Sequence, residues 1–187
     1  MSRTIAIEFV TLDGVLDDPD GSDGTASGGW AFRHGPDTVA GDKFQLGAVL
    51  DKGVMVLGHN TWKQFSRIWP DRDDEFSRRM NAVPKLVVSR SATEFAEWAN
   101  STHFDGDLVE VVRRKSEERD VIIAGSISVV HALMAADLID EYRLLIFPTI
   151  VGTGRYLFPN GAAPVNLRTV GAESSGAAVL ARFERDD

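Results

Sequence analysis

The sequence predicts an α/β fold: a central, mostly parallel sheet with helices on both faces and an antiparallel C-terminal edge. Three observations predict it. Short apolar strands alternate with helical stretches through the middle of the chain, the pattern of parallel strands joined by helical crossovers. Three of these strands run into a small or polar turn: Val54–Leu57 into Gly58-His59-Asn60-Thr61, Lys85–Ser89 into Arg90, and Val121–Ala124 into Gly125-Ser126. The C-terminus instead holds two strands, Val165–Val170 and Val179–Arg185, split by Ser174-Ser175-Gly176, which reads as an antiparallel ribbon.

Taken in order, Thr4 to Val10 alternates, with Ile5, Ile7 and Phe9 on one face, and ends at Thr11-Leu12-Asp13-Gly14. Residues 17–29 form a polar loop rich in breakers, of a length that is usually functional or mobile. Its acids suggest calcium, but Gly21 and Pro19 stand where ligating carboxylates are needed. Asp37 to Lys52 is expected as a helix with Phe44, Leu46, Val49 and Leu50 apolar and Gly53 as its stop. After the Val54–Leu57 strand, Trp62, Phe65 and Trp69 recur at helical spacing and read as a core-facing stripe. A short helix covers Asp74 to Asn81. Residues 107–118 form a helix with Leu108, Val111 and Val112 inward. A further helix after Ser126 carries Ile127, Val130, Leu133 and Met134. Tyr142–Phe147 is a strand stopped by Pro148, and Gly152-Thr153-Gly154 is a tight loop.

The 187 residues read as a single domain, residues 1–187, large enough for a real core. No apolar run approaches a membrane span, and the N-terminus reads as a first strand rather than a signal peptide. The absence of cysteine removes disulfides, thiolate nucleophiles and cysteine zinc sites, and makes a cytoplasmic location the expectation. A net charge of −8 argues against nucleic acid as a partner. Arg113-Arg114-Lys115 lies among Glu110, Glu117 and Glu118 and reads as a solvated helix face. No metal site is expected.

The three turns carry the chemistry. A helix N-terminus presents unpaired N–H groups and partial positive charge, so it favours phosphate. At Gly125-Ser126 the missing side chain lets a pyrophosphate approach the backbone, and Ser126 either caps the helix or donates to a phosphate oxygen. Thr61 has the same two options after Gly58. His59 reaches an adenosine phosphate or sits in solvent. Arg90 matches a ribose 2′-phosphate, or is a surface arginine. Three such turns along one sheet edge can hold a long, multiply anionic ligand, which points to a dinucleotide and a redox enzyme. Gly152-x-Gly154 lacks the third glycine and the early position of a Rossmann fingerprint.

Together these features resemble the dihydrofolate-reductase-like fold, a three-layer architecture, and within it the family of small proteins related to the reductase domain of riboflavin biosynthesis (RibD C-terminal-like). The marks are Glu8-Phe-Val-Thr-Leu-Asp-Gly14-Val, Gly29-Trp30, Leu57-Gly58-His-Asn-Thr61-Trp62, Val87-Val-Ser89, Gly125-Ser126, Ile139-Asp-Glu-Tyr-Arg-Leu and Phe147-Pro-Thr-Ile-Val-Gly152-Thr-Gly154. They cover nearly the whole chain.

The resemblance implies NADPH binding and hydride transfer to a small heterocycle, pteridine- or pyrimidine-like. By position, Gly58, His59, Asn60, Thr61, Ser89 and Arg90 would hold the adenosine end, and Gly125, Ser126, Ile127 and Val129 the pyrophosphate. Val10 and the loop through Leu16 would flank the nicotinamide. The family's Gly-Gly turn, often cis, falls on Gly125-Ser126. Asp42 keeps the spacing before Gly58 of the reductases' substrate carboxylate, so it is either that acid or an ordinary helix acid. His59 stands where an arginine is usual, which weakens the preference for NADPH over NADH unless Arg90 compensates. No arginine is assignable to a folate glutamate tail, and without cysteine the pathway's zinc deaminase activity is absent. The family also implies a homodimer. The competing expectation is a scaffold or nucleotide-binding protein that keeps the fold without the chemistry.

Overall fold

In chain order the elements are β1 (Thr4–Thr11), α1 (Pro36–Val39), α2 (Ala48–Lys52), β2 (Val54–Gly58), α3 (His59–Phe65), α4 (Glu75–Ala82), β3 (Lys85–Val88) and β4 (Ser101–Phe104). They continue with α5 (Leu108–Glu118), β5 (Val121–Ile123), α6 (Ile127–Ala135), β6 (Glu141–Phe147), β7 (Leu167–Ser175) and β8 (Ala178–Arg185). The computed structural model describes residues 2–91, 95–161 and 163–186. Its strands are hydrogen-bonded in the order β4-β3-β2-β5-β1-β6-β8-β7. The expected α/β architecture, a mostly parallel sheet with an antiparallel C-terminal edge, is therefore present.

The chain divides into two units, and β1 contributes to both. The first contains β1 as far as Ala6 and Leu46–Asp140. Its strands run parallel, with Thr4 and Val54 both opposite Val121, and Leu57 opposite Val87. β2 and β5 are buried on both faces, as parallel strands covered by helices must be. Met55, Leu57, Ile122, Ile123, Leu133 and Trp98 are sealed from solvent. The second unit contains Ile7–Gln45 and everything from Glu141 onward. Its core is Trp30, Ala31, Leu145, Phe147, Ala178 and Leu180. Phe147 packs edge-on to Trp30 at 5.3 Å and lies 5.2 Å from Phe9. β6 and β7 each pair antiparallel with β8.

The structure corrects three expectations. Asp37–Lys52 is not one helix: α1 ends at Val39, α2 starts at Ala48, and an irregular segment joins them. Gly41, Gln45 and Gly47 take positive φ of 79°, 53° and 44°, which a right-handed helix does not allow. Arg143 Nη1 captures the carbonyls of Phe44 (3.0 Å) and Gln45 (2.6 Å), so these oxygens serve a tertiary contact. The apolar residues that suggest one helix are split, Phe44 and Leu46 in the irregular segment and Val49 and Leu50 in α2. Second, α3 stops at Phe65, so Trp69 lies beyond it. Trp62 alone of the three aromatics is fully buried, with its indole N–H donating to Ser101 Oγ at 2.8 Å. Third, the structure has a strand, β4, where the sequence predicts no element.

The attachment of β4 explains an unexpected buried cation. Lys85, only 2% exposed, donates to the carbonyls of Asn81 (3.1 Å), Val83 (2.8 Å) and Ala99 (3.0 Å). Its ammonium also lies 4.3 Å from the centre of the Trp98 ring. Burial pulls the Lys85 pKa down to about 7, while the three carbonyls and the indole face favour the proton. The lysine ties the end of α4 to the chain entering β4. Lys85→Met removes all three donors, and we expect a loss of about 3 kcal/mol in urea unfolding. A loss under 1 kcal/mol would contradict this role.

The polar loop of the second unit is wrapped around one acid. The Asp18 carboxylate, 3% exposed, accepts from Asp23 N (2.9 Å), Thr25 N (2.9 Å) and Thr25 Oγ1 (2.8 Å). Burial raises its pKa, but these hydrogen bonds outweigh it and hold the carboxyl below the usual range. The loop acids thus include a structural one.

Candidate functional site

The turns at 58, 89 and 125 come together in the first unit. β3, β2 and β5 are neighbours, and Gly58 lies opposite Val88, so Ser89 follows directly beside the start of α3. The Gly58 N–H donates to Gly125 O at 3.1 Å. A Cβ on Gly58 would stand 2.1 Å from Ser126 Oγ, 2.9 Å from Ser126 Cβ and 3.1 Å from Ser126 N. The two turns are therefore in backbone contact, which only glycine permits at residue 58. The Gly125–Ser126 peptide is cis.

Helix capping separates this pair from α4 and α5, while the short α2 also starts without a side-chain cap. The N-termini of α4 and α5 are closed by carboxylates: Asp74 accepts from Ser77 N, and Asp107 from Val109 N and Glu110 N. Those of α3 and α6 have no side-chain cap. Ser126 Oγ instead lies 3.2 Å from Ser128 Oγ. Two adjacent helix starts thus keep N–H groups and partial positive charge at the carboxyl edge of the sheet, where open α/β sheets bind ligands. A shallow depression lined by Ser2, Lys52, Glu118, Arg119 and Asp120 lies at the opposite, amino-terminal edge.

Around this pair, His59 is half-buried, Asn60 exposed and Thr61 half-buried. His59 and His103 flank Phe95, at ring separations of 6.0 and 5.7 Å, and His103 Nε2 lies 2.9 Å from Ser89 O. Ser89 is nearly buried and bonds Ser91 through its hydroxyl, while Arg90 is exposed. Ile127 is half-buried. Val129 is buried, and its N–H is taken by Ser126 O at 2.8 Å, so it offers packing rather than a donor.

The remaining sequence-derived residues belong to the second unit. Val10 and Leu16 are buried at 4% exposure each. Asp42 is half-buried on the irregular segment between α1 and α2. The Gly152–Gly154 loop is closed by acids. Asp13 accepts from Val151 N (3.2 Å) and Gly152 N (2.6 Å), and Asp17 pairs with Arg155. A hydrogen bond from the Thr11 hydroxyl, together with these N–H groups, holds the Asp13 carboxyl below its usual range. Carboxylates at this loop explain why its glycines make no phosphate cradle.

One further acid stands out in the structure. Glu8 sits in the middle of β1, on the face of Ala6 and Val10 and opposite that of Ile7 and Phe9. Its Oε1 is buried without a hydrogen-bond partner among the described residues, and burial pushes its carboxyl up to about 8. An acid interrupting an apolar strand was the available signal.

Comparison with known proteins adds the family. The model of the RibD C-terminal domain matches residues 4–181. The chain belongs to the RibD C-terminal domain family. The family is reductase-related, which supports an oxidoreductase. Among its relatives are two uncharacterized proteins of Bacillus subtilis (strain 168). YyaP is 29% identical over 112 residues, 59% of this chain and 59% of YyaP. YwjB is 24% identical over 98% of both chains. Among solved structures, a putative riboflavin biosynthesis protein from Shewanella sp. PV-4 superposes with a TM-score of 0.74 at 20% identity, covering 99% of each chain. A pyrimidine reductase-like protein from Corynebacterium diphtheriae gives 0.67 at 12% identity, over 100% of this chain and 92% of that one. RibD of Acinetobacter baumannii gives 0.62 at 16% identity, with this RibD C-terminal domain spanning 58% of that chain. These likenesses establish the dihydrofolate-reductase-like fold.

Proposed function

We propose that this RibD C-terminal domain is an NADPH-dependent reductase of a small pteridine- or pyrimidine-like heterocycle. The observation that carries the reading is the pair of uncapped helix starts, α3 and α6, in backbone contact at adjacent strand ends. Two such starts suit a diphosphate, because each supplies main-chain donors to oxygens that a side chain would otherwise crowd. Gly125, Ser126 and Ile127 would hold the pyrophosphate, with Val129 packing behind them. Gly58, His59, Asn60, Thr61, Ser89 and Arg90 would hold the adenosine end. Val10 and Leu16 are assigned to the nicotinamide and Asp42 to the substrate. When bound, the coenzyme supplies the hydride. The chain's own part is to orient it through main-chain donors. A cytoplasmic homodimer completes the proposal; no helix among the described residues is long and apolar enough to cross a membrane.

Thermal melting with NADPH and NADH tests this. A ligand at one hundred times its Kd stabilises the folded state by about 2.7 kcal/mol, which for a chain of this size is about 5–10 °C. NADPH is expected to give the larger shift and to quench tryptophan fluorescence, with Trp62 lying in α3. No shift with either nucleotide would favour the scaffold reading.

A further inference from the structure

We propose that the cavity between the end of β4 and the first turns of α5 holds the purine base of the coenzyme, with Glu110 and Arg114 recognising its polar edge. The assignment rests on the reductase reading and carries it further along the sheet. The cavity has a volume of about 180 Å³ and is lined by Phe104, Gly106, Asp107, Glu110, Val111 and Arg114. That is below the roughly 300–1,000 Å³ of a site for a whole drug-sized ligand and suits a single ring system.

Its place follows from the sheet. β4 pairs parallel with β3, Phe104 standing opposite Val88, and the Ser89 N–H donates to Phe104 O at 3.0 Å. The cavity therefore lies at the carboxyl edge of the first unit, beyond Ser89 from the paired turns at Gly58 and Gly125. β2 and β4 are two strands apart, roughly 9.6 Å, a span that a ribose and its base can bridge. The exposed Arg90, which follows Ser89 directly, is then left for the ribose phosphate.

The lining rejects phosphate and suits a neutral, planar group. The start of α5 is closed by Asp107, whose carboxylate takes the N–H groups of Val109 (2.8 Å) and Glu110 (3.1 Å). Asp107 and Glu110 thus put two carboxylates at the cavity, and an anion avoids them. Phe104 offers ring surface, of the kind on which bases stack. Its ring lies against Gly106, where a Cβ would stand only 2.8 Å from Cζ.

Glu110 and Arg114 are four residues apart on α5, the spacing at which opposite charges pair along a helix. On α4 the same spacing does pair, Arg79 meeting Glu75 at 3.2 Å. Glu110 and Arg114 instead have no side-chain hydrogen bond or ion pair among the described residues. One acceptor and one donor are thereby left on the same cavity. Adenine offers the complement: its exocyclic amine donates to the Glu110 carboxylate, and the neighbouring ring nitrogen accepts from the Arg114 guanidinium.

Isothermal titration with NADPH and with adenosine 2′,5′-bisphosphate tests the assignment without turnover. Glu110→Ala and Arg114→Ala are each expected to weaken both ligands about tenfold, the worth of one hydrogen bond to a charged group. The Glu110 result is the decisive one. Removing an acid near an anionic ligand tightens binding if only net charge matters, so a loss of affinity requires a direct contact. Arg113→Ala, the neighbouring cation outside the cavity lining, should stay within about twofold of wild type. In methyl NMR, the ring current of the base should shift the Val111 methyl resonances when adenosine 2′,5′-bisphosphate is added. Unchanged or tighter binding in Glu110→Ala, or unmoved Val111 methyls, overturns the base pocket and leaves the cofactor reading standing. Failure of wild type to bind NADPH overturns the reductase reading, and the pocket with it.

Discussion

Gly58→Ala is expected to weaken NADPH binding by about 100-fold while leaving the fold intact. The added methyl would stand 2.1 Å from Ser126 Oγ, and rotating the serine relieves only that contact. Ser126 Cβ at 2.9 Å and Ser126 N at 3.1 Å belong to the turn itself, so the turn must move away from β2. That movement stretches the bond from Gly58 N to Gly125 O and separates the two uncapped helix starts. Losing two charge-assisted hydrogen bonds to phosphate, at about 1.5 kcal/mol each, amounts to about 3 kcal/mol, where each 1.4 kcal/mol is tenfold. The double variant Gly58→Ala with Ser126→Gly removes the Oγ and Cβ contacts and should recover part of the affinity. Isothermal titration of both variants checks this. Wild-type affinity in Gly58→Ala would show that the phosphates lie elsewhere and would remove the central support for the proposed function.

The first unit was largely legible because its signals are local. Strand-to-turn-to-helix transitions at Gly58, Ser89 and Gly125 depend on short apolar runs and small residues, and the structure places all three on neighbouring strands. β4 escaped because Ser101–Phe104 is four residues long and mostly polar; it is held by pairing to β3 and through the Lys85 cluster, neither of which is local. A lysine among carbonyls likewise reads as a surface residue until its partners, from Asn81 to Ala99, are brought together. The segment 40–47 failed for the opposite reason. Phe44, Leu46, Val49 and Leu50 have helical spacing, but Arg143, about a hundred residues away, claims the carbonyls a helix would use. The candidate site divides along the same line. Its main-chain donors are visible as glycines and serines, whereas the unmatched state of Glu8 depends on what the fold packs around β1.

Arg143 provides the second large effect. Its side chain is 9% exposed and its partner Glu141 only 3%, with Nε donating to Glu141 Oε1 at 2.7 Å and Nη1 to the Phe44 and Gln45 carbonyls. Truncating one member of a buried ion pair leaves the other charge without that compensation and typically costs about 3–5 kcal/mol, so Arg143→Leu is expected to lower Tm by about 10 °C or more. Replacing both, Arg143→Leu with Glu141→Leu, exchanges a desolvated pair for apolar volume and should recover most of that loss. The two carbonyls remain without their donor in either variant. The segment that carries Asp42, three residues before Gln45, then loses its anchor to β6. Calorimetry and kinetics of the double variant should therefore separate: Tm returns toward wild type, while KM for the heterocycle stays raised. Full recovery of both would mean that Arg143 acts only on stability and that the position of Asp42 is fixed by other contacts.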